Sequence, residues 1–263
     1  IKTKEYLEKL GVSCDLTDTP KGVDFNNYDI VHLTDLTAVI DLVSYLKHLK
    51  GFNGKKVLST IYWPFDDYAS NGAPFFQKLV YKVFGINGFE LLKSLAKSIL
   101  RRKKIYLQGI TKTYIGNQID VINEVDWLLP NSQMERDTLN NRLGLGLNNY
   151  TIVNNAIDLI IFDKIIKESN IKRRDELITF VARIDPRKNQ LSFLKAMMET
   201  NFTIRFIGKV FPQFQSYFNE LKRLAFKRGN VEFISHITQQ ELFKHMLEAK
   251  VNVLTILHLT LIM

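Results

Sequence analysis

Residues 177–198 read LITFVARIDPRKNQLSFLKAMM, and the order of residue types in that stretch decides the fold. Leu177 to Ile184 is an apolar run without polar alternation, the pattern of a parallel strand covered on both faces. Asp185 and Pro186 punctuate a turn, Asn189 is the expected N-cap, and Leu191, Leu194, Ala196, Met197 and Met198 predict a mostly apolar helix. Arg183 is then expected at the carboxyl end of the strand and Lys188 at the mouth of the helix, where free backbone N–H groups and the helix dipole favour an anion. Two cations there suit a diphosphate. Arginine grips two phosphate oxygens as a fork, lysine supplies a mobile point charge, and each charge-assisted bond contributes roughly 1.5–3 kcal/mol. Solvated charges flanking an ordinary βα turn give the same local pattern, so the surroundings must decide between the two.

Downstream the pattern repeats, with strands expected over 202–208, 231–235 and 251–257 and helices over 214–228 and 239–249. Thr238 and Glu241 form a capping box before the last of these helices. Upstream, residues 1–10 read as a helix stopped by Gly11, and Val12 to Leu16 as a short strand. Strands are expected at 28–36 and 56–65 around an amphipathic helix at 37–50. Trp127 to Pro130 and Tyr150 to Asn154 continue the sheet, and Ser132 with Glu135 is a second capping box. Alternation of this kind predicts an α/β protein with doubly wound parallel sheets, whose nucleotide sites lie at the carboxyl ends of the strands. The charged stretch 159–176 reads as an interdomain connection.

A length of 263 residues and an apolar content of 46% suit two globular domains. No run of eighteen apolar residues predicts a membrane-spanning helix. The single cysteine, Cys14, excludes an internal disulfide and fits a reducing cytoplasm. A net charge of +9 invites nucleic acid, anionic membrane or phosphorylated substrate as partner. No zinc-finger, homeodomain or RNP-type motif accompanies it, which disfavours nucleic acid. Between Lys78 and Lys112 nine basic residues face one acidic residue, Glu90, among apolar residues at helical spacing. That segment is either an amphipathic surface for an anionic bilayer or a helix pair packed on the core with its lysines solvated.

FVARIDPRKNQLSFLKAM resembles the opening signature of the C-terminal domain in family 4 retaining glycosyltransferases of the GT-B fold. The stretch VDWLLPNSQMERDTLNNRLGLGLNNYTIVNNAIDLIIF is similar to what precedes that signature in the family. The resemblance runs, with gaps, from about Tyr28 to Leu254, and it implies two Rossmann-like domains facing a cleft, both incomplete. Residues 1–170 would be the N-terminal acceptor-side domain, lacking its first strand. Residues 171–263 would be a truncated C-terminal domain binding the nucleotide sugar. The implied reaction moves a sugar from a nucleotide-diphosphate donor to a glycan or lipid-linked acceptor with retention, in polysaccharide biosynthesis.

By the same resemblance Arg183 and Lys188 neutralise the leaving diphosphate, so that no divalent metal or other cofactor is needed. Asp66 and Asp67 match no spacing that would place two metal ligands. Gly208, Lys209 and Ile237 fall on nucleotide-contacting positions, and His32 and Tyr62 on catalytic ones. The chain also departs from the family pattern. Val210 replaces the second glycine of G-x-G, leaving Lys209 between; Ala156 follows Asn155 in place of glycine; and Tyr62 stands where a histidine touches the sugar. After Glu248 no carboxylate appears, although the family places two glutamates there. The expectation is therefore an enzyme inactive in this truncated form, located in the cytoplasm with 78–112 on the inner face of the membrane. The alternative is a noncatalytic GT-B-like glycan-binding or partner subunit. A Rossmann oxidoreductase is disfavoured, because no G-x-G-x-x-G follows any expected strand.

Overall fold

The computed structural model describes residues 2–64, 79, 81–88, 113–156, 159–168 and 170–254. They divide into two compact units at residues 155 and 156, with 79 and 81–83 going to the second.

The first unit begins with α1 (Lys2–Lys9), which stops at Gly11 in the left-handed region, φ +85°. Val12 to Leu16 do not form the expected strand. Val12 and Leu16 are both exposed, and apolar alternation without a covering face or a pairing neighbour does not hold a strand. The sheet is built from β1 (Ile30–Thr34), β2 (Lys55–Ser59) and β3 (Trp127–Leu129), parallel and in that order. Helices α2 (Val39–His48), α3 (Tyr114–Glu124) and α4 (Gln133–Leu143) accompany it. Leu33, Leu58 and Leu128 are register partners across the three strands and make one buried row. That row packs with Leu36, Val39, Leu42, Val121 and Leu139 in the core of the unit. Residues 149–153 run beside β3 with Leu128 N–H donating to Asn149 O, and Thr151 and Val153 N–H to Leu128 O and Pro130 O. Only Leu128 and Tyr150 register as a bridged pair, so the expected strand there is reduced to one bridge.

The second unit contains α5 (Leu159–Glu168), β4 (Arg174–Val181), α6 (Gln190–Ala196), β5 (Thr203–Ile207), α7 (Gln215–Arg228), β6 (Val231–Ile234), α8 (Gln239–Glu248) and β7 (Ala249–Val253). The charged stretch after residue 159 thus folds in part as a helix, and α5 lies on the second unit's side of the division, ahead of the boundary at 170. Its Phe162 meets Phe243 of α8 edge to face at 5.4 Å. All four strands are parallel, in the order β6-β5-β4-β7. The chain therefore builds outward from β4 to β6 and then returns to the other side of β4. This is the Rossmann order, and its reversal lies at β4.

Phe180, Phe206 and Phe233 are register partners on one face, with successive ring centroids 5.5 Å apart. Phe193 of α6 and Phe218 of α7 pack on that row. Arg205, buried at the centre of β5, pairs in register with Thr179 and Glu232. Its guanidinium bonds Glu232 at 2.6 Å and Glu248 of α8 at 2.5 Å, which ties α8 to the sheet.

Candidate functional site

At the carboxyl edge of the second sheet the turn after β4 is fixed from several sides. Ala182 N–H donates to Ile207 O, and Ile184 N–H to Lys209 O at 3.1 Å, so the outgoing segments of β4 and β5 stay side by side. Asp185 then caps a 3-10 turn, Pro186–Lys188, by accepting from Arg187 N–H at 2.9 Å. The same carboxylate takes a fork from the Arg187 side chain, with Nε at 3.1 Å and Nη2 at 2.6 Å. Burial alone would raise the Asp185 pKa, but the Arg187 bonds and the nearby charge of Arg183 outweigh it and hold the pKa below its ordinary value.

Asn189 does not cap a helix with its side chain. It sits in the left-handed region, φ 56°, where it turns the chain from the 3-10 segment into α6. Asparagine tolerates that conformation better than most residues. Gln190 is fully buried and donates from Nε2 to Arg183 O at 2.8 Å, while Leu191 N–H donates to the Tyr217 hydroxyl at 3.1 Å. One of the first helical N–H groups is thus already used, and α6 is short. Any anion here is held mainly by side chains.

Those side chains are cationic. The Arg183 guanidinium carbon lies 5.6 Å from the Phe211 ring centroid, and Lys209 Nζ lies 5.5 Å from the same centroid. Arg183 and Lys209 are exposed, and Lys188 is half-buried. Burial lowers the Lys188 pKa, and the charges of Arg187 and Arg183 push the same way against Asp185. The turn is therefore a place where positive charge is crowded. The structure brings Arg183, Lys209 and Phe211 together, and Lys188 close enough to feel Arg183.

Gly208 has a reason of its own. A Cβ there would come 1.8 Å from Ala182 O, so the glycine is required by the chain's own backbone whatever binds nearby. Next along the edge, Ser235, His236 and Ile237 follow β6. His236 has φ 58° and its Nδ1 lies 3.1 Å from Ser235 Oγ, while Ile237 is half-buried.

In the first unit, His32 is exposed on β1, and its Nε2 lies 2.8 Å from Ser59 Oγ on β2. Protein atoms crowd the ring enough that desolvation lowers its pKa. Tyr62 is 4% exposed and belongs to the core cluster of the unit. Its backbone N–H donates to Glu135 Oε1 at 2.6 Å. The buried Glu135 carboxylate also accepts from Thr60 Oγ1 and from Asn131 N–H, so it clamps the segment leaving β2. Ser132 caps Glu135 N–H as expected, but the glutamate does not return the bond to Ser132, because its oxygens are spent on that segment. His32 and Tyr62 belong to the first unit, Arg183 and Lys188 to the second.

Sequence reasoning missed Glu135 as a clamp, Arg187 as the partner of Asp185, and Phe211. The spacing of Asp185 and Arg187 is a hint in the sequence, but it becomes a contact only because the turn closes as a 3-10 segment. Among the described residues no three His, Cys, Asp or Glu side chains gather where they could hold a metal ion. Asp66, Asp67 and most of 78–112 lie outside the described residues. No described helix is long and apolar enough to cross a membrane.

An α,α-trehalose-phosphate synthase (UDP-forming) from Burkholderia vietnamiensis is similar in structure, with a TM-score of 0.55 at 11% identity, over 87% of this chain and 53% of its own. The fold is GT-B. Anabaena HepE, solved in complex with UDP and glucose, has a TM-score of 0.46 at 14% identity, over 87% of this chain and 74% of its own. TarM, which also has a TM-score of 0.46, is 13% identical over 95% of this chain and 38% of its own. This chain thus spans about half the length of the trehalose-phosphate synthase. No protein-family model matches it, and no curated protein does.

Proposed function

We propose that the chain belongs to a glycosyltransferase that moves a sugar from a nucleotide-diphosphate donor to a glycan or glycolipid acceptor, with retention of anomeric configuration. The observation that carries this reading is the convergence of Arg183 and Lys209 on one ring at the carboxyl edge of a Rossmann-ordered sheet, beside a lysine whose pKa is depressed by burial first and by neighbouring cations second. Cations that crowd one another are relieved by an anion, and a diphosphate supplies the charge. The GT-B fold supports the choice of ligand, since the similar trehalose-phosphate synthase is described as UDP-forming.

In the proposed reaction the bond from the anomeric carbon to the terminal phosphate oxygen breaks, and its electron pair leaves with the nucleoside diphosphate. Arg183, Lys188 and Lys209 take up that charge. This is work a divalent metal does in other enzymes, and the proposal gives it to side chains. The acceptor hydroxyl provides the new oxygen, and its proton passes to the departing diphosphate oxygen. Ile237 would lie against the base, and His32, held neutral by its lowered pKa, would hydrogen-bond a sugar hydroxyl. The protein would act in the cytoplasm, with the basic segment 78–112 on an anionic membrane surface.

Calorimetric titration with UDP, GDP and ADP tests the reading. At least one should bind, and Arg183→Ala or Lys188→Ala should weaken it at least about tenfold, equivalent to roughly 1.4 kcal/mol. Unchanged affinities would remove the phosphate role. The burial of Tyr62 where a sugar-touching histidine is expected favours a second reading, a noncatalytic partner subunit. Binding of a nucleotide sugar without any turnover of it would select that reading.

A further inference from the structure

Phe211 stands apart from the phenylalanines that build the second unit. Phe180, Phe193, Phe206, Phe218 and Phe233 belong to the hydrophobic cluster between the sheet and its helices, and Phe211 does not. It lies in the turn after β5, just ahead of the 3-10 segment Pro212–Phe214, and is half-buried. Two cations lie over its ring. The Arg183 guanidinium arrives from the end of β4 at 5.6 Å and the Lys209 ammonium from the end of β5 at 5.5 Å.

Two exposed cations on long side chains repel each other and are otherwise free to move apart into water. A ring face carries the negative part of an aromatic quadrupole, so it attracts both and limits where each can go. We infer that Phe211 is a positioning residue, which holds Arg183 and Lys209 as a preformed cation pair for the diphosphate of the nucleotide. The inference rests on the diphosphate reading above. It adds that the ring acts through the two cations and does not itself touch the base or the sugar. Side chains ordered before binding lose less freedom when the anion arrives, and the gain appears as affinity. The local backbone serves the same end, because the Ile184 to Lys209 hydrogen bond keeps the two strand exits in step.

The test is titration of the full chain with inorganic pyrophosphate and, separately, UDP. Phe211→Leu keeps apolar bulk without the quadrupole and should weaken both ligands equally, about three- to tenfold. Phe211→Trp, which preserves a ring face, should stay near wild type. In an Arg183→Gln, Lys209→Gln background, Phe211→Leu should add no further loss. Melting curves for each variant establish that the fold is intact. If wild type binds pyrophosphate and UDP but Phe211→Leu leaves both unchanged, the inference fails while the diphosphate reading stands. A loss for UDP with none for pyrophosphate would place the ring on the base and overturn it. So would a loss that persists after both cations are removed. Failure of the wild-type chain to bind either ligand would overturn the diphosphate reading, and this inference with it.

Discussion

Asp185 has no accessible surface, yet it remains ionised because Arg187 and a backbone N–H surround its carboxylate. Removing it leaves a guanidinium without its fork and a 3-10 turn without its cap. Asp185→Ala is expected to lower stability by about 3 kcal/mol, measurable by urea unfolding. The pH dependence has a definite sign. The folded pKa is lowered, so the stabilisation is complete above the ordinary carboxylate pKa near 4 and is lost as pH falls through the folded value. Asp185→Asn should therefore flatten the acid side of the stability curve, and an unaltered acid limb would contradict that account. Sequence alone offered Asp185 only as turn punctuation. It could not show that Arg187 rather than solvent would satisfy the carboxylate, because the fork depends on the turn closing as a 3-10 segment.

The elements of the second unit were largely legible from periodicity, and the last helix carries a cap signal as well. The helix α8 is the clearest case. Thr238 and Glu241 exchange both bonds of a capping box, as their spacing predicts. Thr238→Ala should cost about 1 kcal/mol. Arg228, at the end of α7, carries more than its position in a basic last turn suggests. Its guanidinium donates to Met197 O at 2.9 Å, Thr200 O at 2.9 Å and Phe202 O at 2.7 Å, tying α7 to the segment that leads into β5. Arg228→Ala strands several carbonyls and should cost about 2–3 kcal/mol, more than the cap, by the same unfolding measurement. A loss no greater than that of Thr238→Ala would show water replacing the guanidinium. The misread elements were those whose signal was local. Val12 to Leu16 had alternation but no partner strand, and Asn189 had cap chemistry but was needed for a left-handed turn.

At the scale of the molecule, two parallel sheets follow from the alternation of apolar strands with amphipathic helices, and the GT-B fold agrees with the motifs that first suggested it. Parallel strands place every strand exit of a sheet on one edge, and this gathers Arg183, Lys209 and Ile237, which are far apart in sequence. That gathering was readable from strand order. Phe211 was not, because nothing in GKVFP marks its ring as the platform for a cation from another strand. The most direct measurement is residue-resolved NMR of backbone amides during titration with UDP. The account predicts shifts concentrated at Arg183 to Lys188, Gly208 to Phe211 and Ser235 to Ile237. Saturation of binding with those amides unmoved, or shifts centred on the opposite edge of the sheet around Gly229 and Asn230, would contradict it.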